Sequence, residues 1–301
     1  MKKNLSYFNL RRRRDNREGI LFLLPAIIFF IAFIGIPILM AFGLIFTNYN
    51  LLTPPRWNGL NNIKRLFIDP LFLKTLGNTF KFFIIITPIH CILALGLAFI
   101  VTEVHNNILR SLYRSLIYFP TIVTTASVAI VWTYMFATDT GLINYFVRRM
   151  GFTNIPWMTD PVMIYVTIAL FSAWKFIGTT FLYYFVGLQN IPAAYHEAAR
   201  IDGAGRFKTF FRITLPLLSP TIFFVFVTNM IGVFQIFDEP YFIARNNANA
   251  RSLAYHIYLN AFDNIRIGYA SVLALIMFII ILIITAVQFL GQKRWVSYDY
   301  E

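Results

Sequence analysis

The sequence predicts an all-α fold, a polytopic membrane bundle of about six transmembrane helices with a helix-turn-helix on its cytoplasmic face. Three observations predict it. Of the 301 residues 58% are hydrophobic and only 13% are charged, whereas a soluble domain carries roughly 25% charged residues. The apolar residues, 33 Phe among them, gather in runs long enough to cross the hydrocarbon core, which takes about 20 residues of helix. The charges avoid those runs and collect between them. That distribution serves membrane orientation, so the net charge of +13 is not a nucleic-acid footprint.

Six spans are expected. The first, from Ile20 to Thr47, follows a basic tail. It is too long for a signal-peptide core and no small-residue cleavage site follows it, so it reads as an uncleaved helix. The others are Phe80 to Val101, Leu116 to Ala137, Val162 to Leu188, Leu217 to Phe237 and Tyr269 to Leu290. Pro25, Pro37 and Pro88 fall inside spans, where neighbouring helices satisfy the carbonyls a proline frees. The domain plan is a cytoplasmic basic tail (1–19), a single transmembrane domain (20–291) and a cytoplasmic tail (292–301). With the N-terminus inside, fifteen Lys and Arg fall on inner segments and nine on outer ones, which places both termini in the cytoplasm of a bacterial inner membrane.

Three outer segments are long enough to carry structure. In the first, Ile63, Leu66 and Phe67 stand at helical spacing, as in a short amphipathic helix. Trp57, Trp132 and Trp157 read as interfacial aromatics. The single cysteine, Cys91, lies in an apolar run and has no internal partner for a disulfide. No metal-ligand spacing is present, and no glycine-rich phosphate loop.

The loop over residues 189–216 is the most informative. Pro192 suits a first helical turn, the Ala-rich stretch to Ile201 forms helix readily, and Gly203 supplies a positive-φ stop. A second short helix is expected over Arg206 to Ile213, with Phe207, Phe210 and Phe211 on one side and Lys208 and Arg212 on another. Pro216 then lets the next span begin. These residues fit a solvated helical hairpin or a docking surface equally well.

The same loop resembles the signature of ABC importer permeases: Glu197-Ala198-Ala199, three residues, Gly203, nine residues, then Ile213-x-Leu215-Pro216. Seven fixed positions agree. Further likeness to the carbohydrate branch runs along nearly the whole chain: Asn58-Gly59-Leu60-Asn61-Asn62, Leu66-Phe67, Asn78-Thr79, Gly141-Leu142-Ile143-Asn144, Ile155-Pro156-Trp157, Gly187-Leu188-Gln189-Asn190-Ile191-Pro192, Phe237-Asp238 and Gly268-Tyr269-Ala270-Ser271. Maltose-type and glycerol-phosphate-type permeases are similar, although this chain lacks the extra N-terminal spans and large periplasmic insertion of the maltose-type subunit.

The resemblance implies a non-catalytic subunit that forms half of a path for a sugar or oligosaccharide. It implies a second, related permease subunit, a cytoplasmic ATPase dimer that holds ATP and Mg, and an extracytoplasmic solute-binding protein. No cofactor is expected on this chain. Glu197, Ala198, Ala199, Arg200, Asp202, Gly203, Ile213, Leu215 and Pro216 become the ATPase-coupling residues.

For the path itself, polar groups at membrane depth are the candidates, since they are costly unless used. They are Asn229, Gln235, Asp238 and Glu239 in and after the fifth span, then Trp174, Lys175 and Tyr183 in the fourth. Each has a structural alternative as interhelical hydrogen-bond glue, a partner-subunit pair or a helix cap. His90 and His105 read as packing or interfacial groups. An ion-gradient-driven secondary transporter is the alternative class, but few acidic residues lie within the spans, and that class leaves the loop unexplained.

Overall fold

A computed structural model describes residues 19–245 and 247–297. The basic tail expected over 1–19 therefore lies, save for Gly19, outside the described residues, as does the end of the tail expected over 292–301. Among the described residues five helices are long and apolar enough to cross a membrane: α1 (Gly19–Leu44), α3 (Pro70–Thr102), α7 (Met163–Gln189), the segment Ser219–Ile243, and α13 (Ile267–Gln292). A sixth is made of two pieces, α4 (Asn107–Ile122) and α5 (Thr125–Met135), bent by 91° at their junction. The remaining helices are short: α2 (Asn61–Ile68), α6 (Leu142–Arg149), α8 (Ala193–Ile201), α9 (Arg206–Thr209), α10 (Ser219–Phe234), α11 (Asp238–Ile243) and α12 (Leu253–Tyr258). Here α10 and α11 are the two halves of the Ser219–Ile243 segment.

The chain divides into two units. The first comprises the described residues up to Phe67 together with Asn260–Leu275. In it α1 exposes apolar side chains along nearly its whole length, as a helix facing lipid or another membrane helix does. A two-residue antiparallel pairing joins Thr47 to Trp57 and Asn48 to Arg56. The buried amide of Asn62 in α2 locks that hairpin, donating to the carbonyls of Ile45 and Thr47, both at 2.8 Å. The start of α13 closes on the same spot. A Cβ on Gly268 would meet the Thr47 carbonyl oxygen at 2.2 Å, so only glycine fits there.

The second unit, Ile68–Leu259 with the residues from Ile276 onward, is built on α3, α7 and α10. Asp69 caps α3, its Oδ1 accepting from the Leu71 N–H at 2.9 Å, and Pro70 opens the first turn. One apolar cluster holds Phe82, Ile86, Ile164, Ile168, Phe171 and Val233. A second holds Ala94, Ala98, Phe181, Tyr184, Phe185 and Leu218. Small residues set the closest approaches. A Cβ on Gly178 would lie 2.8 Å from the Ile117 carbonyl oxygen and from the Tyr118 Cα, so α4 and α7 touch backbone to backbone.

The third span departs from expectation. It was expected as one helix from Leu116 to Ala137, and it breaks after Ile122. Pro120 supplies no N–H to the last turn of α4, and Val123 and Thr124 are extended, with ψ of 145° and 133°. The segment after α5 is organised by Asn144, which is fully buried. Its side chain donates to the carbonyls of Thr138 and Ile155 and accepts from the Ile155 N–H and the Trp157 Nε1–H. Trp157 is therefore an anchor of this loop. Trp132 packs inward too, stacked on Phe136 at 4.9 Å and edge-on to Phe171 at 5.3 Å. Trp57 alone of the three is well exposed.

Candidate translocation cavity and coupling segment

The second unit holds an open cavity of about 470 Å³ lined by α7, α10 and α11, with His90 of α3. Its existence follows from a break in the fifth span. Helix α10 ends at Phe234, Gln235 caps it, and Phe237 adopts φ −132°, ψ −52° before α11 restarts. Asp238, Glu239 and Pro240 open α11, the residue types that suit a helix N-terminus. The carbonyl of Ile236, freed by the break, accepts a hydrogen bond from the Ser252 hydroxyl.

Of the residues expected on a path, Tyr183, Asn229, Gln235, Asp238 and Glu239 all line this cavity. Asn229 lies at the centre of a polar relay. Its Oδ1 stands 3.0 Å from His90 Nδ1, and its Nδ2 donates to the Val225 carbonyl at 3.0 Å and to Thr180 Oγ1 at 3.3 Å. The His90 Nε2 stands 3.4 Å from the Ser172 hydroxyl. With Nδ1 protonated, His90 donates to Asn229 and accepts from Ser172. Tyr183 presents a half-exposed ring packed edge-on to Phe224 at 5.1 Å.

Trp174 and Lys175 stand outside the cavity lining. Trp174 is exposed and sits 5.9 Å from Trp132. Lys175 is buried, and its ammonium donates to the carbonyls of Pro120 (2.8 Å), Thr121 (2.9 Å) and Val123 at the α4–α5 break.

Sequence reasoning missed five polar lining residues: His90, Ser172, Thr179, Thr180 and Thr228. The clue was present in α7, where Ser172, Phe176, Thr179 and Tyr183 recur every three or four residues and so form one stripe. Read by single residues, that stripe is invisible. His90 was passed over because a lone histidine in an apolar span has no sequence-local partner.

The loop over 189–216 folds as a hairpin of short helices. Pro192 is the cap residue of α8, one position before the first turn. At its other end Gly203 takes φ +71°. The Gly203 N–H donates to the Arg200 carbonyl at 3.1 Å and the Ala204 N–H to the Ala199 carbonyl at 2.9 Å, which together terminate the helix. Ala199 faces inward, whereas Glu197, Ala198, Arg200 and Asp202 are exposed.

The second helix spans its expected length but changes type partway. It covers Arg206–Thr209 and runs on through a π-helical turn, Phe210–Thr214, into Leu215–Leu217. Ile213 and Leu215 are half-buried at this join and Pro216 is exposed. The three phenylalanines divide: Phe210 packs on Phe99 of α3 at 4.8 Å, whereas Phe207 and Phe211 are 84% and 60% exposed. Ile201 is 87% exposed as well, so three large apolar side chains of the hairpin are left uncovered among the described residues.

Residues 92–296 match the family described as binding-protein-dependent transport system inner membrane component. A probable ABC transporter permease, YesP of Bacillus subtilis (strain 168), is 38% identical over 95% of this chain and 94% of its own length. The lactose transport system permease LacF of Rhizobium radiobacter is 32% identical, over 94% and 96%. A chain from the crystal structure of a bacterial ABC transporter involved in import of the acidic polysaccharide alginate has the same fold. It gives a TM-score of 0.80 at 23% identity, covering 95% of this chain and 100% of that one. The apolar spans, the cavity between them and the hairpin with its Glu197–Gly203 motif thus belong to a multi-pass membrane protein, and the chain is a member of the binding-protein-dependent transport system inner membrane component family, the permeases of ABC importers.

Proposed function

We propose that this chain forms half of the translocation path for a sugar or oligosaccharide, delivered by an extracytoplasmic binding protein and driven by a separate ATPase dimer. The observation that carries the reading is the cavity. Amides, hydroxyls, carboxylates and a Tyr183 face converge there within spans that are otherwise apolar, and this is the set of groups a sugar's hydroxyls and ring faces require. Relatives named for lactose and arabinooligosaccharide transport agree with it. Asn229, Gln235, Asp238, Glu239 and Tyr183 are the residues proposed to meet the sugar, with His90 beside Asn229.

The α8 hairpin is the proposed ATPase contact. Glu197, Arg200 and Asp202 supply directional pairing, the exposed Ile201 and Phe207 supply apolar area, and Gly203 fixes the turn. Ile213, Leu215 and Pro216 tie that movement to α10. ATP and Mg reside on the partner. The hairpin faces the cytoplasm, and with six spans both termini do so too. A second, related permease completes the path.

The test is reconstitution of the co-purified assembly in liposomes. ATP-dependent uptake of the sugar found by mass spectrometry on the co-isolated binding protein is expected, and Glu197→Ala is expected to lower uptake while leaving membrane insertion intact. Purification of this chain alone, with uptake driven by an ion gradient, overturns the reading.

A further inference from the structure

The break in the third span creates a problem that only a distant residue solves. When α4 ends at Ile122 and α5 leaves at 91°, the carbonyls of Pro120, Thr121 and Val123 lose their helical partners. In hydrocarbon an unpaired carbonyl is costly, so such breaks persist only where another group satisfies them. Lys175 does so. It sits at the midpoint of α7, is 1% exposed, and its ammonium has three N–H donors for three carbonyls. The contact is returned, because the Thr121 hydroxyl donates to the Lys175 carbonyl at 3.0 Å. One turn further, Gly178 removes the side chain that would hold the two helices apart. The positive charge also lies at the negative end of the α4 dipole.

The same ammonium borders the cavity wall. It lies 5.2 Å from the ring centre of Phe176, a residue that lines the cavity together with Asp238 and Glu239. Helix α5, whose direction Lys175 fixes, packs against α11, which carries those two carboxylates.

From this geometry we infer that Lys175 is a positioning residue for transport: it sets the angle of the broken span and so places α5 and α11 about the cavity, without touching cargo. This rests on the transport reading above. It differs from the sequence-level expectation that placed Lys175 on the substrate path. Lys175 lies outside the cavity lining, and each of its donors faces a carbonyl.

The experiment uses the complete assembly in liposomes, with Lys175→Met (similar shape, no charge), Lys175→Arg and Thr121→Val. Uptake is measured against cargo concentration. Spin labels at the exposed Val131 of α5 and Val186 of α7 report the angle of the break by pulsed electron spin resonance. For Lys175→Met, kcat is expected to fall about tenfold or more with KM within about threefold, and the label distance to shift or broaden. Lys175→Arg keeps the charge, but its planar fork cannot aim three donors at carbonyls around one point, so its values fall between those of wild type and Met. Thr121→Val removes only the returned bond and shifts the distance in the same direction by less, which keeps the test usable if Lys175→Met does not assemble. A raised KM with an unchanged label distance makes Lys175 a cargo ligand and overturns the inference. Unchanged kcat and distance in Lys175→Met overturn it as well. Absence of ATP-driven uptake by the wild-type assembly instead overturns the transport reading.

Discussion

Replacing Gly203 separates the shape of the coupling turn from its chemistry. Gly203 adopts φ +71°, and no atom lies within 4 Å of where a Cβ would sit. An alanine there meets no clash, so its whole effect is the backbone strain of the left-handed region, roughly 1–2 kcal/mol for a residue with a Cβ. A change of that size alters the ratio of formed to unravelled turn by a factor of about 5–30. The two hydrogen bonds at risk are those from Gly203 to Arg200 and from Ala204 to Ala199, and without them α8 loses its defined end. Asparagine adopts positive φ far more readily. Uptake by the reconstituted assembly is therefore expected to fall several-fold for Gly203→Ala, to fall further for Gly203→Val, and to stay near wild type for Gly203→Asn, with equal amounts of protein in the membrane. Equal uptake by all three variants would show that the turn is not needed. Asn as damaging as Ala would show that positive φ is not the reason for glycine here.

Three other outcomes are expected. Asn229→Ala removes the group that pairs His90, Thr180 and the Val225 carbonyl. On the proposed function Asn229 also meets the sugar, and the loss of one such bond, about 1 kcal/mol, raises KM for uptake about fivefold, whereas a fall in kcat alone would argue against a cargo contact. Asn144→Ala breaks four bonds at a fully buried site and costs about 2–4 kcal/mol, read as a clear drop in the melting temperature of the purified protein. Asp160 is held below the ordinary carboxylate range by the N–H groups of Met163 and Val162 at the start of α7. Its capping contribution is complete above that range and is lost as pH falls through the lowered value. The difference in melting temperature between wild type and Asp160→Asn is therefore expected at pH 7 and shrinks below about pH 4.

Much of this architecture was readable from hydropathy and turn chemistry, because both act locally. The ends of α7 and α13 follow from their apolar runs to within a residue or two, and the positive φ of Gly203 follows from the Ala-rich helix before it. The elements that escaped depend on partners far along the chain. Pro120 stands three residues before Val123, but nothing nearby shows how the break is paired, since the Val123 carbonyl is satisfied by Lys175, 52 residues on. The ten extra residues at the start of α3 are helical because Asp69 and Pro70 cap it, although the apolar run begins only near Phe80. His90 became part of the cavity only when folding brought Asn229 to it across 139 residues. Within the cavity, the path residues of the fifth span could be named from sequence because they cluster next to its break. Those of α7 are spread one per turn.

Both interrupted spans follow one rule, and it bears on how such a bundle can move. At each break the freed carbonyls are paired by a side chain from elsewhere in the second unit: Ile236 by Ser252, and Pro120, Thr121 and Val123 by Lys175. An intact helix has its backbone bonds inside itself and resists bending at every residue. A broken one concentrates its freedom at one joint, where a few side-chain bonds decide the angle. The two joints here flank α5 and α11, which pack on each other beside the cavity. Alternating exposure of that cavity is therefore expected to change bonds at the joints, while α3, α7 and α10 keep their packed cores. Mutations at the joints are thus expected to change rates of transport more than stability, and mutations among Phe82, Phe181 and Leu218 to do the reverse.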